Sequence, residues 1–343
     1  MTDLPINWRE LVNQYEAKFA GGNKRKCSDT QLVELLIEHK GATAKIARML
    51  DTSPRAVCAR RDSLEQHLGW QLPRGRWETW RQTEGQDRII DLEIENGTII
   101  VGSDLHKWPE LTGTGERAFI AINQMLKPAY VMLNGDGIDG KSIARHARIG
   151  WAQQPTIQEE LEAFADFTDN LQKQNTNGKY IRSRGNHDEL FDAYFANRVP
   201  GSEGVKGTKL DDHFPMWTQC VALHINRNER GHTIIKHRFR HGGIHADWQN
   251  VLKSGVNIVF GHLHSQRVRP FDDARGRRYG CDAGMLAPVL GPQFAYCEAD
   301  VNDWRSGFLV LTYIDGELME PEKVTVIDED DGVIYFRGQK WQV

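Results

Sequence analysis

Five short stretches of the chain end in carboxylates, imidazoles and an amide. "IIVGSDLH" ends in Asp104 and His106, "VMLNGDGID" in Asp136 with Asp139 beyond, and "YIRSRGNHD" in Asn186, His187 and Asp188. "RFRHG" ends in His241 and "VNIVFGHLH" in His262 and His264. Carboxylate oxygen, imidazole nitrogen and amide oxygen are ligands for Mn²⁺, Fe²⁺ or Zn²⁺, and no thiolate is among them. Asp104, His106, Asp136, Asn186, His241, His262 and His264 are too many for one ion and suit two that share a carboxylate. Two ions about 3.5–4 Å apart can hold a phosphate, activate a water and stabilise the leaving oxygen. The D-x-H and H-x-H spacings would set two ligands on one side of an extended segment. His245, in "HGGIHAD", is an alternative to His241, while His232 and His237 read as ordinary strand residues.

Something must bring these groups together. Each cluster follows an apolar run that reads as a buried strand: "GTIIVGSD", "AYVMLNGD", "KYIRSRG", "TIIKHRFRHG" and "VNIVFGH". "CVALHI" reads as a further strand. Residues 115–127 and "TIQEELEAFADFTDNLQ" read as helices between strands, the second opened by a Thr156/Glu159 capping box. Strand and helix in alternation mean an α/β layered domain. Ligands bind at the carboxyl ends of strands in such sheets, so the five tips are expected to converge. "KVTVIDEDDGVIYFRG" reads as a hairpin turning at Asp331–Gly332, with its acidic run solvated.

The front of the chain differs. Residues 1–75 hold 12 Lys/Arg and nine Asp/Glu, net +3, which leaves −7 for the rest. Residues 8–20 and 30–40 read as helices, with Asp29 the expected cap of the second. Ile46, Met49 and Leu50 form one helical stripe, and Val57, Leu64 and Leu68 another. Ser53–Pro54 opens the later helix, and Ala47 is small where two helices would approach closely. This pair resembles a helix-turn-helix, with Arg55, Arg60 and Arg61 as candidate DNA contacts and Asp51 where glycine is common. A docking or oligomerisation bundle is the other reading. The expected division is a helical domain over 1–70, a tryptophan-rich linker over 71–92, and an α/β domain with its terminal hairpin over 93–343.

The five cysteines are scattered and form no C-x-x-C pair, so free thiols are expected rather than a zinc ribbon. No run approaches the ~18 apolar residues of a membrane span. "MTDLPINWRE" has no basic start followed by an apolar stretch, so a cytoplasmic protein is expected.

In order, D-x-H, G-D-x-x-D, G-N-H-D, H-G and G-H-x-H resemble the calcineurin-like metallophosphoesterases over residues 97 to 315. The resemblance implies a four-layer β-sandwich flanked by helices, beside the small all-α front domain. It implies two divalent ions, Mn²⁺ first, with Fe²⁺, Zn²⁺ or Ni²⁺ as alternatives. Asp104, His106 and His264 would hold one ion, Asn186, His241 and His262 the other, and Asp136 both, with a hydroxide between them attacking phosphorus. His187 would face the substrate and serve the leaving oxygen. Asp188 would accept a hydrogen bond from that imidazole and orient it. Arg145, His146 and Arg148 could grip flanking phosphates.

With a DNA-binding head, such a core implies a DNA nuclease, and a homodimer would suit two half-sites. The compact build resembles phage- or prophage-type members, whose setting would be the host cytoplasm. A small-molecule or cyclic-nucleotide phosphoesterase or protein phosphatase with an assembly head is the alternative. A DNA-binding regulator with a silent core is a third reading.

Overall fold

The structure, a computed structural model, describes residues 7–18, 26–70, 72–73, 88–144, 154–227, 229–274, 276–297 and 302–343. The chain divides into two compact units, Met1–Asp87 and Arg88–Val343.

The first unit contains α1 (Trp8–Lys18), α2 (Asp29–Glu38), α3 (Thr43–Met49) and α4 (Pro54–Leu68). Val12, Leu32, Leu36, Ile46, Val57 and Leu64 form its core, with Trp70 packed against it. Trp77 and Trp80 lie outside the described residues. Ser28, not Asp29, caps α2: its hydroxyl accepts the Gln31 N–H at 3.0 Å, and the Gln31 side chain accepts the Ser28 N–H at 2.9 Å. Asp29 is already inside the helix and buried against Arg60. Ser53 caps α4 as expected, accepting the Ala56 N–H at 3.2 Å. Met49 leaves the expected stripe and is 54% exposed. Asp51 turns the chain with φ 47°, a left-handed conformation that Asp tolerates better than most residues.

The second unit is built on two sheets. The larger uses β2 (Gly97–Gly102), β3 (Tyr130–Asn134), β4 (Lys179–Ser183), β5 (Thr218–Cys220), β11 (Gly307–Ile314), β12 (Glu317–Leu318), β13 (Glu322–Asp328), β14 (Val333–Phe336) and β15 (Gln339–Gln342). Its order is β15-β14-β13-β11-β2-β3-β4-β5, with β12 beside β11, and β2 to β5 run parallel. The smaller sheet uses β1 (Ile89–Leu92), β6 (Ala222–Ile225), β7 (Thr233–Ile235), β8 (Asn257–Phe260), β9 (Arg267–Asp273) and β10 (Gly276–Asp282), in the order β1-β6-β7-β8-β10-β9. The expected linker over 71–92 is therefore too long: its last residues pair as β1 with β6. "CVALHI" is not one strand either, because Cys220 ends β5 in one sheet and Ala222 opens β6 in the other.

Four helices complete this unit: α5 (Thr114–Leu126), α6 (Ile157–Gln174), α7 (Asp188–Arg198) and α8 (Ala246–Ser254). Side chains alternate along each strand, which sorts them into layers. Ile99 and Val101 face Leu223, Ile235 and Val259 between the sheets. Ile100 and Val131 point the other way, against Phe119 of α5 and Phe164 and Leu171 of α6. Ile258 and Phe260 pack under Ala246 and Val251 of α8. Helix, sheet, sheet and helix make the four layers. The Thr156/Glu159 capping box opens α6, and Gly332, at φ 68°, turns the β13–β14 hairpin. No helix among the described residues is long and apolar enough to cross a membrane.

Candidate active site at the strand tips

The tips of β2, β3 and β4 in one sheet and of β7 and β8 in the other meet. Asp104, His106 and His264 offer ligand atoms that all lie within 4.8 Å of one another, and so do Asp136, His237 and His262. His237 Nε2 stands 3.1 Å from Asp136 Oδ2 and 3.2 Å from Asn186 Oδ1. His106 Nε2 lies 3.8 Å from Asp104 Oδ1 and 3.9 Å from Asp136 Oδ2, which ties the two groups together. Six of the seven expected ligands are thus brought together.

The seventh is not. β7 ends at Ile235, well short of the end of the run "TIIKHRFRHG", so the imidazole at the strand tip is His237. The His237 carbonyl accepts the Gly261 N–H at 3.1 Å, which sets it beside His262. His241 is spent differently: its backbone N–H and carbonyl both bond the Asn250 side chain, and its imidazole joins neither cluster. His245 is exposed at the start of α8. The reading of His237 as an ordinary strand residue fails because its imidazole reaches Asp136 and joins the cluster with His262.

The ligand segments are not extended. Asp104, His106, Asp136, His262 and His264 have φ of 54°, 41°, 53°, 70° and 59°. Left-handed backbone costs a non-glycine residue about 1–2 kcal/mol, and such strain gathers where a site needs it. Two glycines let the loops close on the carboxylates. A Cβ on Gly185 would sit 2.0 Å from Asp136 Oδ1, and one on Gly261 would sit 2.3 Å from Asp104 Oδ2.

Around the ligands stands a layer of orienting groups. Asp139 is buried, and its carboxylate meets His106 Nδ1 at 3.2 Å, which turns Nε2 toward the cluster. Asp188 does not hold the His187 imidazole, contrary to expectation. Its carboxylate accepts the N–H groups of Asp136, Gly137 and Gly185, each at 3.0 Å, and so anchors the Asp136 loop. The reason is geometric: Asp188 opens α7 and turns inward, fully buried. His187 is oriented instead by the Asp139 carbonyl, which accepts from Nδ1 at 2.6 Å. The His187 side chain keeps 31% of its surface exposed. Glu160, absent from the sequence reading, accepts the N–H groups of Asp139 and Gly140 at 2.9 and 2.7 Å. Its signal was legible: Glu160, Phe164, Phe167 and Leu171 share a helical face, and a carboxylate on an apolar face needs a reason.

The donor set fits divalent metal. His106 Nε2 is buried with no hydrogen-bond partner, facing two carboxylates across a gap too long for a hydrogen bond. A buried nitrogen left this way costs free energy unless something fills the gap. The electrostatics agree. Burial alone would push the His106 imidazole down, but the neighbouring Asp104, Asp139 and Asp136 carboxylates raise it to about 10. His237 goes up to about 9 against the same desolvation, drawn by Asp136 and Asp104. Burial would raise Asp136, yet His237, His106 and His187 hold it at about 2. The site favours positive charge, which metal ions would supply.

The candidate nucleic-acid contacts fare differently. Arg145, His146 and Arg148 lie outside the described residues. Arg60 donates to Asp29 at 2.6 Å and to the Cys27 carbonyl at 2.8 Å. Arg61 is only 3% exposed and bonds Asp62. Arg55 is exposed at the second position of α4. All five cysteines are free.

Residues 97–290, more than half of the chain, match the family described as calcineurin-like phosphoesterase. Among solved structures, a dimetal phosphatase from Danio rerio is similar at 8% identity and a TM-score of 0.35, covering 72% of this chain and 98% of its own. No curated protein matches the chain.

Proposed function

We propose that this chain, which belongs to the calcineurin-like phosphoesterase family, hydrolyses phosphodiester bonds in DNA with two divalent ions, Mn²⁺ first among them. The observation that carries the reading is the pair of adjoining clusters, Asp104/His106/His264 and Asp136/His237/His262, with Asn186 on the second. Those residues would hold the metals, with Asp136 between them. Bound there, two ions would hold the phosphate, activate a water and stabilise the leaving oxygen.

The chain's own groups do the rest. Asp139 and Asp188 fix His106 and the Asp136 loop, so the ligands need not reorganise during reaction. His187 Nδ1 donates to the Asp139 carbonyl, so Nε2 carries a proton only as the imidazolium. In that form it brings positive charge to the phosphoryl group and a proton for the leaving oxygen. For DNA, Arg55 stands exposed near the start of α4, with Lys45 and Arg48 exposed on α3. The first turns of a recognition helix are where base edges are met.

A second reading has its own support. Arg60 and Arg61 are engaged inside the head, which favours a small-phosphoester hydrolase whose head serves assembly. End-labelled DNA incubated with Mn²⁺ and purified protein separates the two, with Asp136→Ala as the control for contaminating nuclease. Cleavage that the variant loses supports the nuclease. Intact DNA beside hydrolysis of a chromogenic phosphoester supports the alternative.

A further inference from the structure

We infer that the cavity beside His187 is a nucleobase cradle, so that the phosphodiester cut is one whose neighbouring base is unstacked. This rests on the phosphodiesterase reading and names its substrate class: a nucleotide with a free base face. The cavity holds ≈ 870 Å³ and takes Asp139, Asn186 and His187 into its lining, so it opens directly onto the candidate metal centre. That volume lies in the ~300–1,000 Å³ range of sites that enclose a small organic ligand.

Its long wall is one face of α7. Leu190, Ala193, Tyr194, Asn197 and Arg198 line it at positions i, i+3, i+4, i+7 and i+8. On an ordinary surface helix that stripe meets the core. Here it meets an open cavity, begins beside His187 and extends about 12 Å at about 1.5 Å per residue. The other walls are the 3₁₀ turns Lys141–Ile143 and Pro292–Cys297, which contribute Lys141 and Tyr296. Tyr296 is 52% exposed.

Each tyrosine comes with a cation. The Lys141 ammonium stands 5.1 Å from the Tyr296 ring centre, and the Arg198 guanidinium 5.2 Å from that of Tyr194. Lys141 is further held by the Gln293 carbonyl at 3.3 Å. Rings with a cation over each, set beside a phosphodiester centre, match a base and its phosphate: the ring takes the π-face, the cation takes the anion. A paired base inside a duplex hides its faces, so a single strand or a free nucleotide fits and an intact duplex does not.

The test compares KM and kcat for an end-labelled single strand, the same strand with abasic residues flanking the cleaved bond, and a mononucleotide diester, all with Mn²⁺. Wild type, Tyr194→Leu, Tyr296→Leu and both Tyr→Phe variants are used. Removing the base is expected to raise the wild-type KM about tenfold, as loss of one base–aromatic stack does. Each Tyr→Leu change should raise KM on the intact strand about tenfold, leave kcat within about twofold, and add nothing on the abasic strand. The Tyr→Phe variants should behave as wild type, which a mere folding defect would not produce. If the strand is cut with no dependence on base or tyrosine, the cradle is wrong and the nuclease reading stands. If only the mononucleotide diester is cut, with the tyrosine dependence, the cradle stands and the DNA reading falls. If neither nucleotide substrate is cut, both fall.

Discussion

The head and the strand tips both concentrate charge, and they use it in opposite ways. In the head, Arg60 spends its guanidinium on Asp29 and the Cys27 carbonyl, and Arg61 is buried beside Asp62. At the tips, His106 Nε2 is buried with nothing to bond, and five of the gathered residues hold left-handed backbone. A buried polar group that is fully paired stabilises the fold. One left unpaired costs about 1–3 kcal/mol and persists where a ligand will satisfy it. Charge alone therefore does not mark a functional surface; unsatisfied, over-constrained charge does.

That contrast can be broken by substitution. The largest effect is expected at Asp136, which faces His237 of one cluster and His106 of the other. Asp136→Asn should lower kcat/KM by at least about 10³-fold, the equivalent of several kcal/mol of metal-dependent stabilisation, with the far-UV spectrum unchanged. Next comes the choice between two histidines. His237→Ala should remove one equivalent of bound metal and about 10²-fold of activity, whereas His241→Ala should leave both within about twofold, as metal analysis beside kinetics would reveal. Asp188→Ala should cost about 3 kcal/mol in urea unfolding, because three amides lose a buried charged acceptor. Asp188→Asn should recover part of it.

Smaller effects sharpen the same contrast. In the metal-free protein, His106 and His237 titrate at about 10 and about 9 instead of 6.5. Both folded values are raised, so their stabilisation is complete below pH 6.5 and is lost as pH rises through about 9 to 10. Metal needs the neutral nitrogens, so Mn²⁺ uptake at neutral pH should release protons and tighten as pH rises. Calorimetry in buffers of different ionisation enthalpy measures that release directly, and a heat independent of buffer would refute it. In the head, Arg60→Ala should lower stability by about 1–2 kcal/mol. Arg55→Ala should leave the melting temperature unchanged while weakening DNA binding several-fold and flattening its salt dependence.

Much of this was legible in the sequence, for reasons that differ by residue. Asp104, His106, Asp136, Asn186, His262 and His264 each follow a buried apolar run closely enough that only one strand end is possible. His237 was not, because "TIIKHRFRHG" keeps alternating apolar and basic residues past the point where the ladder stops. Ile235, opposite Val259 of β8, is the last paired residue of β7, and local pattern does not mark it. Asp188 was read as a partner of its neighbour His187, since sequence shows adjacency and not direction; the turn into α7 points it at three amides on other segments. The α3–α4 pair was readable from Ser53, Pro54 and Ala47. That Arg60 reaches back to Asp29 across 31 residues was not. The walls of the cavity were invisible for the same reason: Tyr194 and Tyr296 meet only through tertiary packing.

The most direct measurement is a crystal soaked in Mn²⁺ and read by anomalous scattering at the manganese edge. Two adjacent peaks are expected, one among Asp104, His106 and His264, the other among Asn186, His237 and His262, with Asp136 touching both. A single peak, or a second peak ligated by His241 in place of His237, would contradict the two-metal centre proposed for this chain.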